Sequence, residues 1–439
     1  MKPRPPLPPG PFLVVGLARS GVAAALALRA RGEEVIGSDT GAPDVGRLRD
    51  LGVEVHLDAS GEHLAARART VIKSPGVPQN APAIVAARRR GLAVLGELEL
   101  AWRLLPNEFI AVTGTNGKTT TSEWIGHIHR EASLPVVVAG NVGTAASSLI
   151  GSVPGDATVV CEASSFQLED VDAFAPEAAV LLNLSPDHLD RHAGYEDYVA
   201  AKLRIFARQG NDDVAVAPRD LPIADLGGCA RRVTFGPGPG AELSDRAGYL
   251  WWAEEPLLPV EEIGLPGAHN RENAMAAAAV CLARGVPAEA VRAGLRTFAG
   301  VRHRLETIVR RGGVDFVNDS KATNVASTLV ALRAYTGGVH LIAGGRGKSQ
   351  DFSELAPAVA ERCRAVYLIG EAAEEIGRAL AGTEVPVRQC GELAGAVSGA
   401  SAAARAGDTI LLSPACASYD QYPDFEARGE HFRALVEAA

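Results

Sequence analysis

Short apolar runs alternate with alanine-rich stretches of helical periodicity from residue 12 onward. The first four runs occupy residues 12–16, 34–39, 53–57 and 70–73. Alternation of this kind predicts a parallel sheet covered by helices. We therefore expect the chain to begin with an α/β domain.

A second series of apolar runs begins after Pro106 and Asn107, which mark a domain boundary near residue 107. Strands are predicted at residues 109–113, 158–162 and 179–183. A stretch rich in proline and glycine follows at 235–240, and a short strand-like run at 249–253. The second domain is thus predicted to be less regular than the first.

A third series of runs follows a helix predicted at residues 273–284. These runs occupy residues 314–317, 339–343, 365–369 and 409–412. The 439 residues exceed what one hydrophobic core usually serves. We expect three α/β domains: a Rossmann-like domain at 1–107, a central domain like that of phosphate-loop ATPases with a mainly parallel sheet at 108–301, and a second Rossmann-like domain at 302–439.

Composition and charge exclude several classes of protein. Hydrophobic residues at 47% and charged residues at 22% argue for a packed chain and against disorder. The net charge of −9 argues against a nucleic-acid surface. Six widely spaced cysteines without a C-x-x-C pair fit a reducing compartment. Since no signal peptide and no apolar run of about 18 residues occurs, we expect a soluble, cytoplasmic protein without a membrane partner.

The strongest motif follows the strand predicted at 109–113 and precedes a helical stretch from Thr121 onward. It consists of Gly114, Thr115, Asn116, Gly117, Lys118, Thr119 and Thr120. Glycines let backbone N–H groups approach phosphate oxygens, Lys118 can neutralise phosphate charge, and Thr119 can reach Mg²⁺. Val112 stands where the general phosphate-loop pattern has its first glycine. An ordinary glycine-rich turn is the alternative interpretation.

Two successive predicted strands bring candidate metal ligands to one edge of the sheet. Glu162 ends the strand at 158–162, and Asp187 and His188 follow the strand at 179–183. An acidic residue at the carboxyl end of a strand is well placed for a metal or a nucleotide. Taken singly, Glu162 can be a solvated carboxylate and His188 a hydrogen-bonded structural histidine.

Lys202 lies on the apolar face of a predicted helix. In the helical stretch 195–208, Tyr198, Val199, Ile205 and Phe206 share one face, and Lys202 falls in its middle. Burial disfavours the charged amine, so either a carboxylate pairs with it or it stays neutral and reactive. The alternative is a lysine that extends its ammonium group to water.

A nucleotide-binding loop in the first domain is indicated by residues 16–21, which follow a strand and begin and end with glycine. Asp39 ends the next strand, as in dinucleotide-binding folds. Ala18 replaces the middle glycine of that pattern, which argues against NAD and leaves a nucleotide diphosphate as the expected ligand. The turn at 73–76 either lines the same crevice or is a simple turn.

Three polar clusters of the third domain each follow a predicted strand, at residues 318–324, 344–348 and 413–418. Convergence of polar groups at the carboxyl ends of strands marks a binding crevice. Lys321 and Lys348 suit an anionic substrate. Taken alone, each cluster is better explained as a capped helix start.

Seven motifs together resemble the Mur ligase family, in order and spacing, across nearly the whole chain. They are GTNGKTT at 114–120, EASSFQLE at 162–169, NLSPDHLDRH at 183–192, AAKLRIF at 200–206, LPGAHNREN at 265–273, NDSKATN at 318–324 and SPACASYDQYPDFEARGEHF at 413–432. The last two, with the loop at 16–21, resemble the member that adds D-glutamate. The D-N-P-R motif of the member that adds diaminopimelate or lysine is absent.

This resemblance implies a role for each motif residue. ATP would be bound by Gly114 to Thr120 with Asn270, Asn273, Arg304 and Asp319. Two Mg²⁺ sites would involve Thr119, Glu162, His188 and a carbamylated Lys202, and the catalytic set would be Lys118, Glu162, His188 and Lys202. The UDP substrate would be bound by Arg19, Ser20, Asp39, Thr40, Ser74, Pro75, Gly76, Asn141, Ser164 and Gln167. D-glutamate would be bound by Lys321, Thr323, Lys348, Ser418 and Phe425. The chain departs from the family's expected residues at Gly41 and Tyr419.

The resemblance also implies a reaction. It is the ATP-dependent, amide-forming addition of D-glutamate to UDP-N-acetylmuramoyl-L-alanine, through an acyl phosphate and a tetrahedral intermediate. This step serves peptidoglycan precursor synthesis and hence cell shape and cell division, and we expect a monomeric enzyme. The alternatives are another Mur-type or a folylpolyglutamate ligase, a phosphate-loop ATPase without ligase function, and a nicotinamide-dependent oxidoreductase.

Overall fold

The computed structural model describes residues 2–141, 143–187, 191–223, 225–347 and 350–438. The predictions for His188 and Lys348 lie outside these residues. The chain divides into two compact units, residues 1–299 and residues 300–439. No helix in the described ranges combines the length and apolar character that crossing a membrane requires.

The first sheet of the first unit has five strands: β1 (Phe12–Val15), β2 (Val35–Ser38), β3 (Glu54–His56), β4 (Thr70–Lys73) and β5 (Ala93–Gly96). Its helices are α1 (Arg19–Ala30), α2 (Gly46–Asp50), α3 (Pro82–Arg89) and α4 (Glu97–Leu104). All pairings are parallel in the order β3-β2-β1-β4-β5. Phe12 and Val14 pack into one core, Leu13 and Val15 into another, because parallel strands are buried on both faces.

The second sheet, also in the first unit, has nine strands: β6 (Phe109–Thr113), β7 (Val136–Gly140), β8 (Thr158–Glu162), β9 (Ala178–Leu181), β10 (Val214–Pro218), β11 (Arg231–Pro237), β12 (Leu243–Arg246), β13 (Tyr249–Trp252) and β14 (Glu255–Pro259). Its helices are α5 (Lys118–Glu131), α6 (Ser165–Leu168), α7 (Tyr195–Leu203), α8 (Ala268–Ala283) and α9 (Ala288–Thr297). The order is β14-β13-β12-β11-β10-β9-β6-β8-β7, and only the β12–β13 and β13–β14 pairs are antiparallel.

The second unit has one sheet of six strands: β15 (Glu306–Arg311), β16 (Val314–Asn318), β17 (Val339–Gly344), β18 (Cys363–Ile369), β19 (Val387–Gly391) and β20 (Thr409–Leu412). Its helices are α10 (Val325–Arg333), α11 (Leu355–Arg362), α12 (Ala373–Ala379), α13 (Leu393–Ala403) and α14 (Phe425–Ala438). The order is β15-β16-β20-β17-β18-β19, and only the edge strand β15 is antiparallel to its neighbour. Apolar cores cover both faces.

The expected α/β architecture with mainly parallel sheets is confirmed, and every predicted strand overlaps an observed one. The predicted helix at 195–208 was too long, because α7 ends at Leu203 and the chain then turns, although Ile205 and Phe206 stay buried. The helix predicted at 273–284 begins earlier, at Ala268, because Gly267 with a φ of +105° turns the chain directly into it. The division near residue 107 stays a prediction; it falls between β5 and β6.

Eight strands were not predicted, and they fall into three groups. The edge strands β15 and β19 contain few apolar residues and are partly exposed, so their sequences carry no buried-strand pattern. Strands β5, β10, β11, β12 and β14 lie in stretches for which neither a strand nor a helix was predicted. Strand β7, with the sequence VVVAG, carries a clear apolar run that the prediction left unused.

Buried polar groups join the first sheet to the second within the first unit. Lys73 Nζ, at the end of β4, donates to Asp170 Oδ2 at 2.6 Å, and both side chains are almost wholly buried. The Asp170 carbonyl accepts the Gly96 N–H at 2.7 Å. Glu99 on α4 accepts the N–H groups of residues 172–174. Residues 170–174, which follow α6, are therefore hydrogen-bonded to both β4 and α4.

We predict that Lys73→Met lowers the free energy of unfolding of the first unit by about 3–5 kcal/mol, because Asp170 loses its buried cation. Urea unfolding followed by tryptophan fluorescence measures this unit alone, since all four tryptophans lie within residues 1–299. Lys73→Met combined with Asp170→Leu should recover most of the loss, because it also removes the unpaired carboxylate. Equal destabilisation of the single and the double variant would contradict this account.

Candidate functional site

The glycine-rich loop between β6 and α5, predicted to bind phosphate and here called the phosphate loop, requires glycine at residue 117. Gly117 has a φ of +84°, and a Cβ at this position would lie 2.1 Å from Asn273 Oδ1. Asn273 in turn accepts a hydrogen bond from Thr121 Oγ1 at 3.3 Å. Helix α5 begins directly after Gly117, three residues earlier than predicted. The first-turn N–H groups of such a helix have no helical partners and can bind an anion.

Lys118 folds back onto the same loop. Its Nζ donates to the carbonyl oxygens of Gly114 at 3.0 Å and Thr115 at 2.8 Å. Asn183, at the end of the strand predicted at 179–183, was not singled out from the sequence, yet its side chain accepts from the Asn116 N–H and donates to the Asn116 carbonyl. The loop therefore carries the ammonium group of Lys118 and is held by the side chain of Asn183, which follows β9.

Tyr198 is a second anchor of the loop that sequence reasoning missed. Its hydroxyl lies 2.8 Å from Thr115 Oγ1, which also accepts the Ser185 N–H at 3.0 Å. The helical pattern identified Tyr198 only as a member of an apolar face. The hydroxyl's partner, 83 residues away in the chain, could not be inferred from that pattern.

Glu162 lies at the end of β8 with its carboxylate between two groups predicted to meet ligands. Its Oε2 accepts from Thr119 Oγ1 at 2.8 Å, and its Oε1 accepts from Asn141 Nδ2 at 3.0 Å. Glu162 is 3% exposed, so it is a buried carboxylate and not a solvated one. Thr120, on the same helical turn as Thr119, is also buried.

The burial predicted for Lys202 is confirmed, since the residue is 2% exposed. Its Nζ donates to the Gly114 carbonyl at 2.7 Å and lies 4.6 Å from the centre of the Tyr198 ring. Burial, and after it the positive charge of Lys118, lower the pKa of Lys202 to about 7 against the opposing effects of Asp187 and Glu162. An amine with this pKa is substantially neutral at physiological pH.

These donors suit Mg²⁺ in part. Thr119 and Glu162 supply hard oxygen ligands of the kind that Mg²⁺ prefers. Lys202 as an amine donates a hydrogen bond and is no Mg²⁺ ligand; only carbamylation would give it oxygen donors. Among the described residues no three His, Cys, Asp or Glu side chains form a metal-binding group, and His188 lies outside them.

A cavity of about 630 Å³ lies at the carboxyl edge of the first sheet. Nine of the ten residues predicted to bind the UDP substrate line it: Arg19, Ser20, Asp39, Thr40, Ser74, Pro75, Gly76, Asn141 and Gln167. Asn141 follows β7 of the second sheet and Gln167 lies on α6. Asn141 also contacts Glu162. The cavity therefore ends close to the phosphate-loop site.

Hydrogen bonds between side chains and backbone groups shape this cavity. Asp39 Oδ2 accepts the Leu17 N–H at 2.5 Å and Oδ1 accepts the Gly41 N–H at 2.8 Å. Ser74 Oγ donates to the Gly16 carbonyl at 2.7 Å. Gly16 has a φ of +85°, and a Cβ there would lie 2.6 Å from Val77 Cγ2. The loop at 16–21 is thus held tightly against the turn at 74–77.

Ser164, the tenth residue of that set, does not line the cavity. Its side chain caps α6 instead: Oγ accepts the Gln167 N–H at 3.3 Å, and the Gln167 side chain accepts the Ser164 N–H at 3.0 Å. This reciprocal arrangement is a capping box. It orients Gln167, which does line the cavity.

The residues predicted to contact the nucleoside of ATP are divided between the two units. Asn270 and Asn273 lie on α8, where Asn270 Nδ2 donates to the Pro266 carbonyl at 2.7 Å. In the second unit Arg304 is exposed and Asp319 is buried. Burial raises the pKa of Asp319 to about 7, although Ser413 Oγ donates to its Oδ2 at 2.7 Å.

Arg428 is the main residue of the second unit that sequence reasoning missed. It is 1% exposed, and its guanidinium donates to Ser320 Oγ and to the carbonyls of Ser320, Cys416 and Ala417. Burial lowers its pKa to about 10. Arg428 therefore fastens the loop after β16 to the loop after β20.

Four of the five residues predicted to bind D-glutamate, Lys321, Thr323, Ser418 and Phe425, lie around these two loops, and the fifth, Lys348, lies outside the described residues. The Lys321 N–H donates to the His303 carbonyl, and the Thr323 N–H to the Lys321 carbonyl. Ser418 is buried beside Ala417, and the Phe425 ring lies 6.3 Å from the His303 ring, edge to face. Lys321 therefore follows Ser320 and Ser418 follows Ala417, and both Ser320 and Ala417 are partners of Arg428. Phe425 lies against His303.

Three family models match successive stretches of the chain. They are described as Mur ligase MurD-like, N-terminal domain, at residues 11–96; Mur ligase middle domain, at residues 112–281; and Mur ligase, glutamate ligase domain, at residues 303–416. The stretches follow one another in the order of the three sheets.

Similar proteins cover nearly the whole chain. The UDP-N-acetylmuramoylalanine–D-glutamate ligase of Acidobacterium capsulatum is 45% identical, over 97% of this chain and 95% of that protein. The enzyme of the same name from Anaeromyxobacter dehalogenans is 44% identical, over 96% of each chain. The crystal structure of the UDP-N-acetylmuramate–alanine ligase from Thermotoga maritima has a TM-score of 0.59 at 20% identity, over 98% of this chain and 99% of that one. The last likeness is one of fold.

We predict that Gly117→Ala weakens ATP binding by at least about tenfold, because an L residue at positive φ is strained by about 1–2 kcal/mol and its Cβ meets Asn273. Titration calorimetry with ATP and Mg²⁺ measures the affinity. Gly155→Ala is the matched control, since a Cβ at Gly155 meets nothing within 4 Å. Unchanged affinity of Gly117→Ala would mean that the loop does not bind phosphate in this conformation.

Proposed function

The chain belongs to the Mur ligase family, and from that membership we propose that it joins D-glutamate to UDP-N-acetylmuramoyl-L-alanine with cleavage of ATP to ADP and phosphate. The observation that carries this proposal is 45% identity, over nearly the whole chain, to a relative named for this reaction. The product is a peptidoglycan precursor.

The phosphate loop supports the proposal because its groups match the charge that develops during phosphoryl transfer. The alanyl carboxylate attacks the γ-phosphorus, the bond to ADP breaks, and an acyl phosphate results. Lys118 and the first-turn N–H groups of α5 neutralise charge on the transferring group. The D-glutamate amine then attacks the acyl carbon, and the tetrahedral intermediate expels phosphate as the amine loses a proton.

Mg²⁺ fits the oxygen donors of Thr119 and Glu162, which lie 2.8 Å apart. When bound, it would offset charge on the phosphate oxygens. We propose that His188 and a carbamylated Lys202 complete two Mg²⁺ sites. The support for carbamylation is the buried amine of Lys202 with its pKa lowered to about 7, beside the phosphate loop.

The cavity at the first sheet supports binding of the UDP portion by the nine residues that line it. Its boundary includes Asn141, which contacts Glu162, so a long substrate lying in the cavity can extend toward the phosphate-loop site. Ser164 would act through the helix cap that orients Gln167. Binding in one fixed orientation brings the alanyl carboxylate toward the γ-phosphate and accelerates the reaction.

D-glutamate would be bound in the second unit by Lys321, Thr323, Ser418, Phe425 and Lys348. Arg428 supports this assignment because it fixes the backbone of Ser320 and Ala417, each adjacent to one of these residues. Asn270, Asn273, Arg304 and Asp319 would contact the nucleoside of ATP.

We further propose that the enzyme acts as a monomer in the cytoplasm, without a nucleic-acid or membrane partner. The six cysteines are all free, as suits a reducing compartment. The net charge of −9 is unfavourable for binding nucleic acid.

Phosphate release from ATP and Mg²⁺ in the presence of UDP-N-acetylmuramoyl-L-alanine is expected to require D-glutamate. L-glutamate, L-alanine and meso-diaminopimelate should give only background release. Lys118→Ala should reduce the rate by about 100-fold or more, whereas Arg130→Ala, exposed at the far end of α5, should leave it unchanged. Release that needs another amino acid would reassign the substrate, and release that needs none would favour an ATPase without ligase function.

Carbamylation of Lys202 is expected to follow its pKa. The neutral amine reacts with CO₂, so ¹³CO₂ should give a carbamate ¹³C NMR signal at pH 8 that is lost as the pH falls below about 7. The chain has only six lysines, which simplifies the spectrum. Lys202→Met should abolish the signal and Lys321→Met should keep it. Because the α-amino group can also form a carbamate, the comparison between variants decides: a spectrum of Lys202→Met that keeps every carbamate signal of the unaltered chain would refute the assignment.

A further inference from the structure

Arg191 and His192 both contact the ring of Phe166 on helix α6. The Arg191 guanidinium lies 4.4 Å from the centre of the Phe166 ring. The His192 ring stacks on Phe166 at 5.5 Å with an interplanar angle of 13°. Arg191 Nη1 also donates to the carbonyl of Gly76, in the turn that lines the UDP cavity, at 3.4 Å.

His192 also bridges two polar side chains of the same region. Its Nε2 lies 3.0 Å from Ser165 Oγ, and its Nδ1 lies 3.1 Å from Glu169 Oε1. This order of serine, histidine and carboxylate is that of a hydrolytic triad. Ser165 is only 2% exposed and His192 only 6% exposed, so no substrate reaches the serine and a nucleophilic role is excluded.

On one side the bridge continues to the UDP cavity. Gln79 Nε2 donates to Glu169 Oε2 at 2.8 Å and to Asp170 Oδ1 at 3.0 Å. Gln79 lies in the turn whose residues 74–78 and 80–82 line the cavity. If the turn moves when a ligand fills the cavity, Gln79 would therefore displace the Glu169 side chain.

On the other side the bridge reaches the phosphate loop. The His192 ring meets the Tyr198 ring edge to face at 5.4 Å, and the Tyr198 hydroxyl lies 2.8 Å from Thr115 Oγ1. Tyr198 lies on α7 with Lys202, which contacts the Gly114 carbonyl. His192 thus contacts both Glu169, which leads to the cavity, and Tyr198, which leads to the phosphate loop.

We propose that His192 is a positioning residue that couples occupation of the UDP cavity to nucleotide binding at the phosphate loop. The coupling rests on the proposed function for the identity of the two ligands. Each ligand raises the affinity of the protein for the other by the same factor, because binding linkage is reciprocal. A relay of packed rings and paired polar groups around the buried His192 has few alternative arrangements, so it transmits a displacement instead of absorbing it.

The test measures the affinity for ADP with Mg²⁺ by titration calorimetry, with and without saturating UDP-N-acetylmuramoyl-L-alanine. The unaltered chain should bind ADP at least about fivefold more tightly when the second ligand is present. His192→Phe keeps the ring contacts with Phe166 and Tyr198 but loses the polar contacts with Ser165 and Glu169. It should bind each ligand alone within about threefold of the unaltered chain and show coupling below about twofold.

His127→Phe is the matched control. His127 likewise contacts a hydroxyl, Thr297 Oγ1 at 2.7 Å, and lies against a phenylalanine ring, Phe298 at 5.7 Å. It should retain full coupling. Coupling that is absent from the unaltered chain, or unchanged in His192→Phe, would overturn the proposal.

If His192→Phe fails to fold, Ser165→Ala decides, since it deletes only the hydroxyl at one end of the bridge. Reduced coupling in Ser165→Ala would support the proposal, and full coupling would refute it. A failure of the proposed function looks different: the chain would then not bind UDP-N-acetylmuramoyl-L-alanine, or would form no product with D-glutamate. The coupling role can fail while both of these remain intact.

Discussion

Strand β6 lies between β8 and β9 in a parallel sheet, and the candidate site depends on this arrangement. Parallel strands end at one edge, so the loops that follow these three strands meet there. Val112 pairs with Glu162, and Thr113 pairs with Leu181, which fixes where each loop begins. A slip of one residue in β8 would turn Glu162 to the opposite face of the sheet and remove it from Thr119.

Buried basic side chains hold the loops of the candidate sites in both units by donating to backbone carbonyls. Lys202 donates to Gly114, and Arg428 donates to Ser320, Cys416 and Ala417. Carbonyl dipoles offset only part of the desolvation of a charge, and burial lowers the pKa of both groups. A lysine can then lose its proton near neutral pH, whereas an arginine cannot. The first unit therefore holds a basic group that can lose its proton near neutral pH, and the second holds a permanent cation.

Local pattern predicted the features that depend on neighbouring residues in the chain. The parallel strands, the phosphate loop and the burial of Lys202 all follow from short-range periodicity or from glycine placement. The contacts of Arg428 and Tyr198 could not be predicted in this way, because their partners lie up to 108 and 83 residues away. Arg428 follows Phe425 by one helical turn within a motif, and nothing local distinguishes a buried arginine from an exposed one. Edge strand β15 was missed because its exposed positions need not be apolar.

The position of Asp39 bears on the nicotinamide alternative. In dinucleotide folds an acidic residue after the second strand accepts a ribose hydroxyl, and this spacing alone suggested such a fold. Here both Asp39 oxygens accept backbone N–H groups, from Leu17 and Gly41, and so hold the loop that begins α1. Shaping this loop is sufficient to explain an aspartate at this position. Asp39 therefore does not favour the interpretation that a dinucleotide binds here. Ala18 replaces the glycine that close approach of a pyrophosphate would need. What remains is a cavity with a helix N-terminus, which any nucleotide diphosphate can use, and its wall includes Asn141 beside Glu162. A cavity that ends at a phosphate-loop site favours a substrate destined for phosphorylation over a redox cofactor.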